Sequence, residues 1–180
     1  WEDLDLSRFD LVRRFDVVVA NESNMAAVAQ LPGYATQRTD EGIVGPNGSF
    51  LYVSTDNGIG GAIVRGGRVV TGDHGFAGEI GHLSVQMEGP VCRCGRRGCV
   101  EAYAGRRSMV EAAGVAEGNA AVSQEALDEF GRRVQEGDPV ATAVFADAGH
   151  AMTSMLTSVI NLADLDTVII GGSWSRVPAG

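Results

Sequence analysis

Apolar positions along the chain first come in short runs separated by glycine-rich corners, and only later take up a helical period. The first run, Phe15-Asp-Val-Val-Val-Ala20, carries consecutive β-branched residues and predicts a buried strand. It breaks at Asn21-Glu22-Ser23-Asn24, which is good N-capping chemistry, and the alanine-rich Met25–Gln30 that follows predicts a helix. Leu31–Ser49 reads as a long connection and a candidate gating loop, with turn signals at Pro32-Gly33 and Gly45-Pro-Asn-Gly48. Two strands, Ser49–Thr55 and Ala62–Arg65, flank the corner Asp56-Asn-Gly-Ile-Gly-Gly61. A Gly66-Gly67 turn then leads to a third strand, Arg68–Thr71.

Past residue 100 the period changes. Glu101–Gly114 is helix-prone, and Val122–Glu136 is amphipathic, with Ala126, Leu127, Phe130 and Val134 on one stripe. Asp138-Pro139 supplies an N-cap and a first-turn proline for a long helix to about Leu162. Its Val140, Phe145, Met152, Met155, Leu156 and Ile160 read as core. Leu165–Gly172 is an apolar run ending in two glycines, which predicts a buried parallel strand whose end approaches other backbone closely. Strands alternating with helices make this an α/β protein.

Composition narrows the function classes. A length of 180 residues suits one domain with a sizeable core, and no apolar stretch nears the length of a membrane span. The net charge is −9 and all the basic residues are arginine, which argues against this segment forming a nucleic-acid surface. There is no signal-peptide pattern, and both ends read as cuts within a longer protein. His74, in a glycine-rich loop, reads as structural.

All three cysteines lie within eight residues, at Cys92, Cys94 and Cys99, with His82 ten residues upstream. A disulfide would leave one thiol over, and Cys-x-Cys is strained for an internal bridge. Three thiolates and an imidazole instead complete a Cys₃His set for structural Zn²⁺, with Gly95 and Gly98 allowing the tight turns between ligands. Cysteine used for metal rather than disulfides points to a reducing, cytoplasmic compartment.

Cys92-x-Cys94-Gly95-x-x-Gly98-Cys99-x-Glu101, with Glu79-x-Gly81-His82 before it, resembles the signature of the ROK family (repressors, open reading frames and sugar kinases). The resemblance implies that His82, Cys92, Cys94 and Cys99 hold Zn²⁺, and that Glu79, His82 and Glu101 face a sugar. The corner at Asn21 is similar to the family's Asn-Asp-x-Asn, which adds Asn21 and Glu22 to the sugar site. Capping alone would also place these residues there. The kinases carry their general base at the position of Glu22, as an aspartate. One further methylene displaces the carboxylate by about 1 Å, enough to slow a positioned proton transfer about a hundredfold.

Asp56-Asn57-Gly58 stands where the kinases carry Gly-Thr-Gly in a phosphate loop. A carboxylate there is expected to repel a nucleotide, although the same residues suit a plain hairpin corner. The two departures direct the expectation to the sugar-sensing effector domain of a ROK-type, xylose-repressor-like regulator. It would bind a sugar at an interlobe cleft and control DNA through an upstream helix-turn-helix, as a homodimer or larger homo-oligomer. The alternative is a glucokinase-like sugar kinase using ATP and Mg²⁺, and a third reading is a zinc-stabilised scaffold. The implied fold is actin-like (RNase H-like) α/β. Residues 1–20 would be the tail of the smaller lobe, and 21–180 the larger lobe with its zinc loop at 82–101.

Overall fold

A computed structural model of the chain describes residues 5–15, 17, 20–31 and 48–176. Its centre is β1 (Phe50–Thr55), paired antiparallel with β2 (Gly60–Arg65) on one edge. On the other edge it is paired in parallel with β4 (Val168–Gly172), in the register Leu51 to Val168. The short β3 (Arg68–Val69) continues from β2, giving a mixed sheet in the order β3-β2-β1-β4. The parallel pair needs a long crossover, and the helices between residues 101 and 163 provide it.

β1 is buried on both faces, so its run Phe-Leu-Tyr-Val shows no polar alternation. Leu51 and Val53 belong to the larger core, beneath α6 (Pro139–Ala163) and with Met109, Val110, Met152, Met155 and Val159. Phe50 and Tyr52 point to the opposite face, where Ala62, Val64 and α2 (Glu22–Val28) cover them. Alanines at 141, 148 and 151 on the inner stripe let α6 lie close to the rest of the core. Its start is capped by Asp138, whose carboxylate accepts the Ala141 N–H at 2.8 Å. Its end is closed by Asp164 in the left-handed region and by Arg65 of β2, which donates to the carbonyls of Ala163 and Asp164.

Several expectations shift. The run Glu101–Gly114 is two helices, α3 (Glu101–Ala104) and α4 (Arg106–Ala112), because Gly105 is extended and caps the second. A Cβ at Gly105 would press on the Glu101 carbonyl oxygen at 2.8 Å. α5 (Gln124–Gln135) begins two residues later than expected, with Ser123 accepting the Ala126 N–H at 3.1 Å. β4 begins at Val168 rather than Leu165, since the left-handed Asp164 first has to turn the chain out of α6. Val140 is 53% exposed and is not core: it sits in the first turn of α6, before that helix reaches the sheet. A short helix, α1 (Asp10–Arg14), precedes the expected strand Phe15–Ala20, half of which (16, 18 and 19) lies outside the described residues. So does 32–47 of the expected gating loop.

Candidate functional site

The carboxyl end of β1, the start of β2 and the start of α2 meet in a cleft of about 490 Å³. Asn21 is the N-cap of α2, its Oδ1 accepting the backbone N–H groups of Ser23 at 2.8 Å and Asn24 at 3.3 Å. That leaves its amide group to face a ligand. Glu22, the first residue of the helix, is exposed in the same cleft. Gly60 has no room for a Cβ because the Ser23 hydroxyl stands there, so helix and sheet touch directly. From the other side Glu101, first residue of α3, enters the cleft and its Oε2 accepts the Ile59 N–H at 3.1 Å. Gly58 must be glycine for the same reason, since a Cβ would collide with that carboxylate.

Arg106 completes this wall, and nothing in the sequence pattern singled it out. The break at Gly105 turns it into the cleft. There Nε and Nη2 donate to the Ser173 hydroxyl at 3.2 and 3.0 Å, and Nη1 donates to the Val122 carbonyl at 3.0 Å. Its Nη2 lies 3.6 Å from Asp56 Oδ1. Asp56 is therefore not the bare negative charge expected at this corner, because a fixed guanidinium partly balances it. The Tyr52 hydroxyl has its pKa raised, first by burial and then by the charges of Asp56 and Glu22. Thr55 locks the neighbouring strand end: its hydroxyl donates to the Gly171 carbonyl at 2.6 Å and accepts the Trp174 N–H at 3.0 Å.

Glu79 and His82 do not line this cleft. They bracket a short 3₁₀ turn, Ile80–His82, pressed against the first residues of β2. A Cβ on Gly81 would collide with the Ile59 carbonyl oxygen, and one on Gly78 would lie 2.6 Å from the Gly61 carbonyl oxygen. Glu79 is exposed at the start of that turn. The five residues expected to face a sugar thus divide into three in the cleft and two on the turn that buttresses it. Gly81→Ala is expected to cost about 1–3 kcal/mol of stability, read as a lower denaturation midpoint, because backbone has to move to admit the methyl group.

His82 faces the cysteines. Its Nδ1 is 3.7 Å from Cys92 Sγ, Cys94 Sγ is 3.7 Å from Cys99 Sγ, and all four donor atoms lie within 4.8 Å of one another. These separations are far beyond a disulfide, whose sulfurs stand about 2.05 Å apart. They suit the edges of a tetrahedron with metal–sulfur bonds of about 2.3 Å. The knuckle is built by backbone: Cys92 N–H donates to the Arg96 carbonyl at 2.7 Å and Gly95 N–H to the Cys92 carbonyl at 2.9 Å. Gly95 and Gly98 take the positive φ values that these turns require. The Arg96 backbone N–H holds the Cys94 thiol down to about 6, whereas burial pushes Cys99 up to about 12. The donor set fits a zinc ion.

The sequence matches the ROK family over residues 2–179. The chain belongs to the ROK family. Among its relatives is the N-acetylmannosamine kinase of Escherichia fergusonii, 32% identical over 174 residues, a match covering 93% of this chain and 55% of the relative. The ROK hexokinase from Thermus thermophilus superposes with a TM-score of 0.71 at 34% identity, over 88% of this chain and 51% of that one. A ROK family transcriptional regulator, a homolog of Escherichia coli Mlc, superposes with a TM-score of 0.66 at 27% identity, over 88% and 40% of the two chains. The chain spans about half the length of the curated relatives it matches. It has the family's actin-like α/β fold with a mixed sheet.

These relatives overturn the expectation of a repressor's effector domain acting on an upstream DNA-binding segment. The ROK relatives at 31–34% identity are sugar kinases. Of the two departures behind that expectation, the charge of Asp56 was judged without Arg106, and Glu22 was judged by its length although it keeps a carboxylate in the cleft. Among the described residues no helix is long and apolar enough to cross a membrane.

Proposed function

We propose that this chain forms the larger lobe of an ATP-dependent sugar kinase, with residues 1–20 ending the smaller lobe. The observation that carries the reading is the placement of Glu22 in one cleft with Asn21, Glu101 and the Asp56-Asn57-Gly58 corner. It is supported by the identity to N-acetylmannosamine kinases and to a ROK hexokinase.

In this mechanism Asn21 and Glu101 hold hydroxyl groups of a hexose-type sugar, the amide by donating and the free carboxylate oxygen by accepting. Glu79 and the Nε2 side of His82 extend the same sugar site from the buttressing turn. Glu22 accepts the proton of the attacking hydroxyl while the sugar oxygen bonds to the terminal phosphorus of ATP and the bond to the leaving ADP breaks. The glycines at 58 and 60, which line the cleft, let its floor pack directly on Glu101 and Ser23. His82, Cys92, Cys94 and Cys99 hold one structural zinc ion, which keeps the loop before α3, and hence Glu101, in place. Thiols kept for metal suit a cytoplasmic enzyme.

The test is sugar-dependent ADP formation by the complete polypeptide, with N-acetylmannosamine and glucose offered in parallel. Turnover with either sugar, saturating in the sugar, is the expected result. ADP formation that no hexose or hexosamine raises above background defeats the reading.

A further inference from the structure

Arg106 is the sole cationic side chain among the described residues that line the Glu22 cleft, in a protein without lysine. Its side chain is only 13% exposed, and Ser173 and Val122 fix the plane of its guanidinium. One edge is left toward Asp56, which is 57% exposed. At 3.6 Å the two charges are neighbours, but the separation exceeds the 2.7–3.2 Å or so of an N–H···O bond. An open contact of this kind is cheap to exchange. Gly172, at φ +86°, packs closely on this corner: a Cβ there would stand 3.1 Å from Asp56 Oδ1 and 2.9 Å from the Thr55 backbone.

We propose that Asp56 and Arg106 form a two-part seat for a divalent cation–polyphosphate complex. The carboxylate takes the cation and the guanidinium takes a phosphate oxygen, each giving up the other. This rests on the kinase reading and adds a selectivity to it. Hard divalent cations prefer carboxylate oxygen, and guanidinium is the side chain best shaped for phosphate. Metal-free polyphosphate gains Arg106 but sets its own charge beside Asp56. The cation complex satisfies both partners at once. The acidic corner then screens for metal-loaded phosphate rather than excluding phosphate.

Calorimetric binding of inorganic tripolyphosphate to the complete protein, with and without Mg²⁺, tests this independently of catalysis. The parent is expected to favour the Mg²⁺ complex by at least about tenfold. Asp56→Asn should tighten metal-free tripolyphosphate about tenfold and so narrow that preference. Arg106→Gln should weaken both forms, with partial recovery in Arg106→Lys. An Asp56→Asn protein with the parent's Mg²⁺ preference overturns the proposal. Asp56 is exposed, so that variant decides the matter even where Arg106→Gln fails to fold. The kinase reading fails separately: a parent that binds as expected yet phosphorylates no sugar keeps the seat and loses the activity.

Discussion

Glu22→Gln is expected to lower kcat for sugar phosphorylation by about 10²- to 10⁴-fold, the usual loss when a positioned base is removed. The substitution keeps the size and hydrogen-bonding reach of the side chain but cannot accept a proton at neutral pH. Asn21 remains the N-cap and Ser23 still seats against Gly60, so α2 and the cleft should persist. KM for the sugar should change by only a few-fold, because the proposed sugar contacts of Asn21 and Glu101 are left in place. Steady-state kinetics on the complete polypeptide, paired with a melting curve, separate the cases. A Glu22→Gln enzyme within threefold of the parent kcat would show that another group takes the proton.

Cys99→Ser should have the larger effect on the fold. Cys99 is fully buried, and its Sγ sits at 3.7 Å from Cys94 Sγ and 3.6 Å from the His82 carbonyl. It therefore ties the knuckle to the 3₁₀ turn. Binding of structural zinc contributes about 10–16 kcal/mol in small metal-folded peptides, so losing one of four ligands in a loop with few apolar contacts should release most of it. The expected result is well under one equivalent of zinc per chain by elemental analysis. Faster proteolysis between residues 83 and 99 and a large fall in sugar affinity should accompany it, although Cys99 touches no sugar. The affinity falls because Val100 and Glu101 follow directly on the knuckle, and the Val100 N–H is bonded to the Leu83 carbonyl at 3.0 Å. A Cys99→Ser protein that keeps a full equivalent of zinc, or keeps the parent's sugar affinity without it, contradicts this account.

What the sequence alone conveyed, and what it did not, follows from the range of the forces involved. The convergence of His82 with Cys92, Cys94 and Cys99 was legible because ligand chemistry admits few residue types and the four lie within one short segment. The start of α2 at Asn21 and Glu22 was legible because a helix cap is a local event. β1 was legible as a buried strand and α6 by its cap and its period; β4 was legible as a strand but not in its burial, since it is only half-buried and Ile170 is 40% exposed. The break at Gly105 was not, because it answers to close backbone contacts with Glu101 and Asn57 that only the folded chain creates. Arg106 was missed for the same reason, since its partners come from residues 56, 122 and 173. Val140 was misplaced because a helical stripe states which side is apolar and not where along the helix the neighbours begin. The reading of function erred where a charge was weighed without its tertiary counter-ion.

The pairing of β1 with β4 also has a consequence in time. β1 carries Phe50, Leu51, Tyr52 and Val53, all buried in the finished protein, and one of its edges is closed only by a strand that begins at Val168. During synthesis the β2 side can zip up as a local hairpin within moments of emergence. The other edge stays open until nearly all of α3 to α6 has been made. For that interval the nascent chain offers an apolar strand with unpaired backbone groups, the form most inclined to pair with a neighbouring chain. Slow translation of the helical segment, or a stop anywhere before residue 168, lengthens the exposure. Shortened products ending within α6 should therefore collect in the insoluble fraction or on holdase chaperones, while products that reach the end of β4 stay in solution.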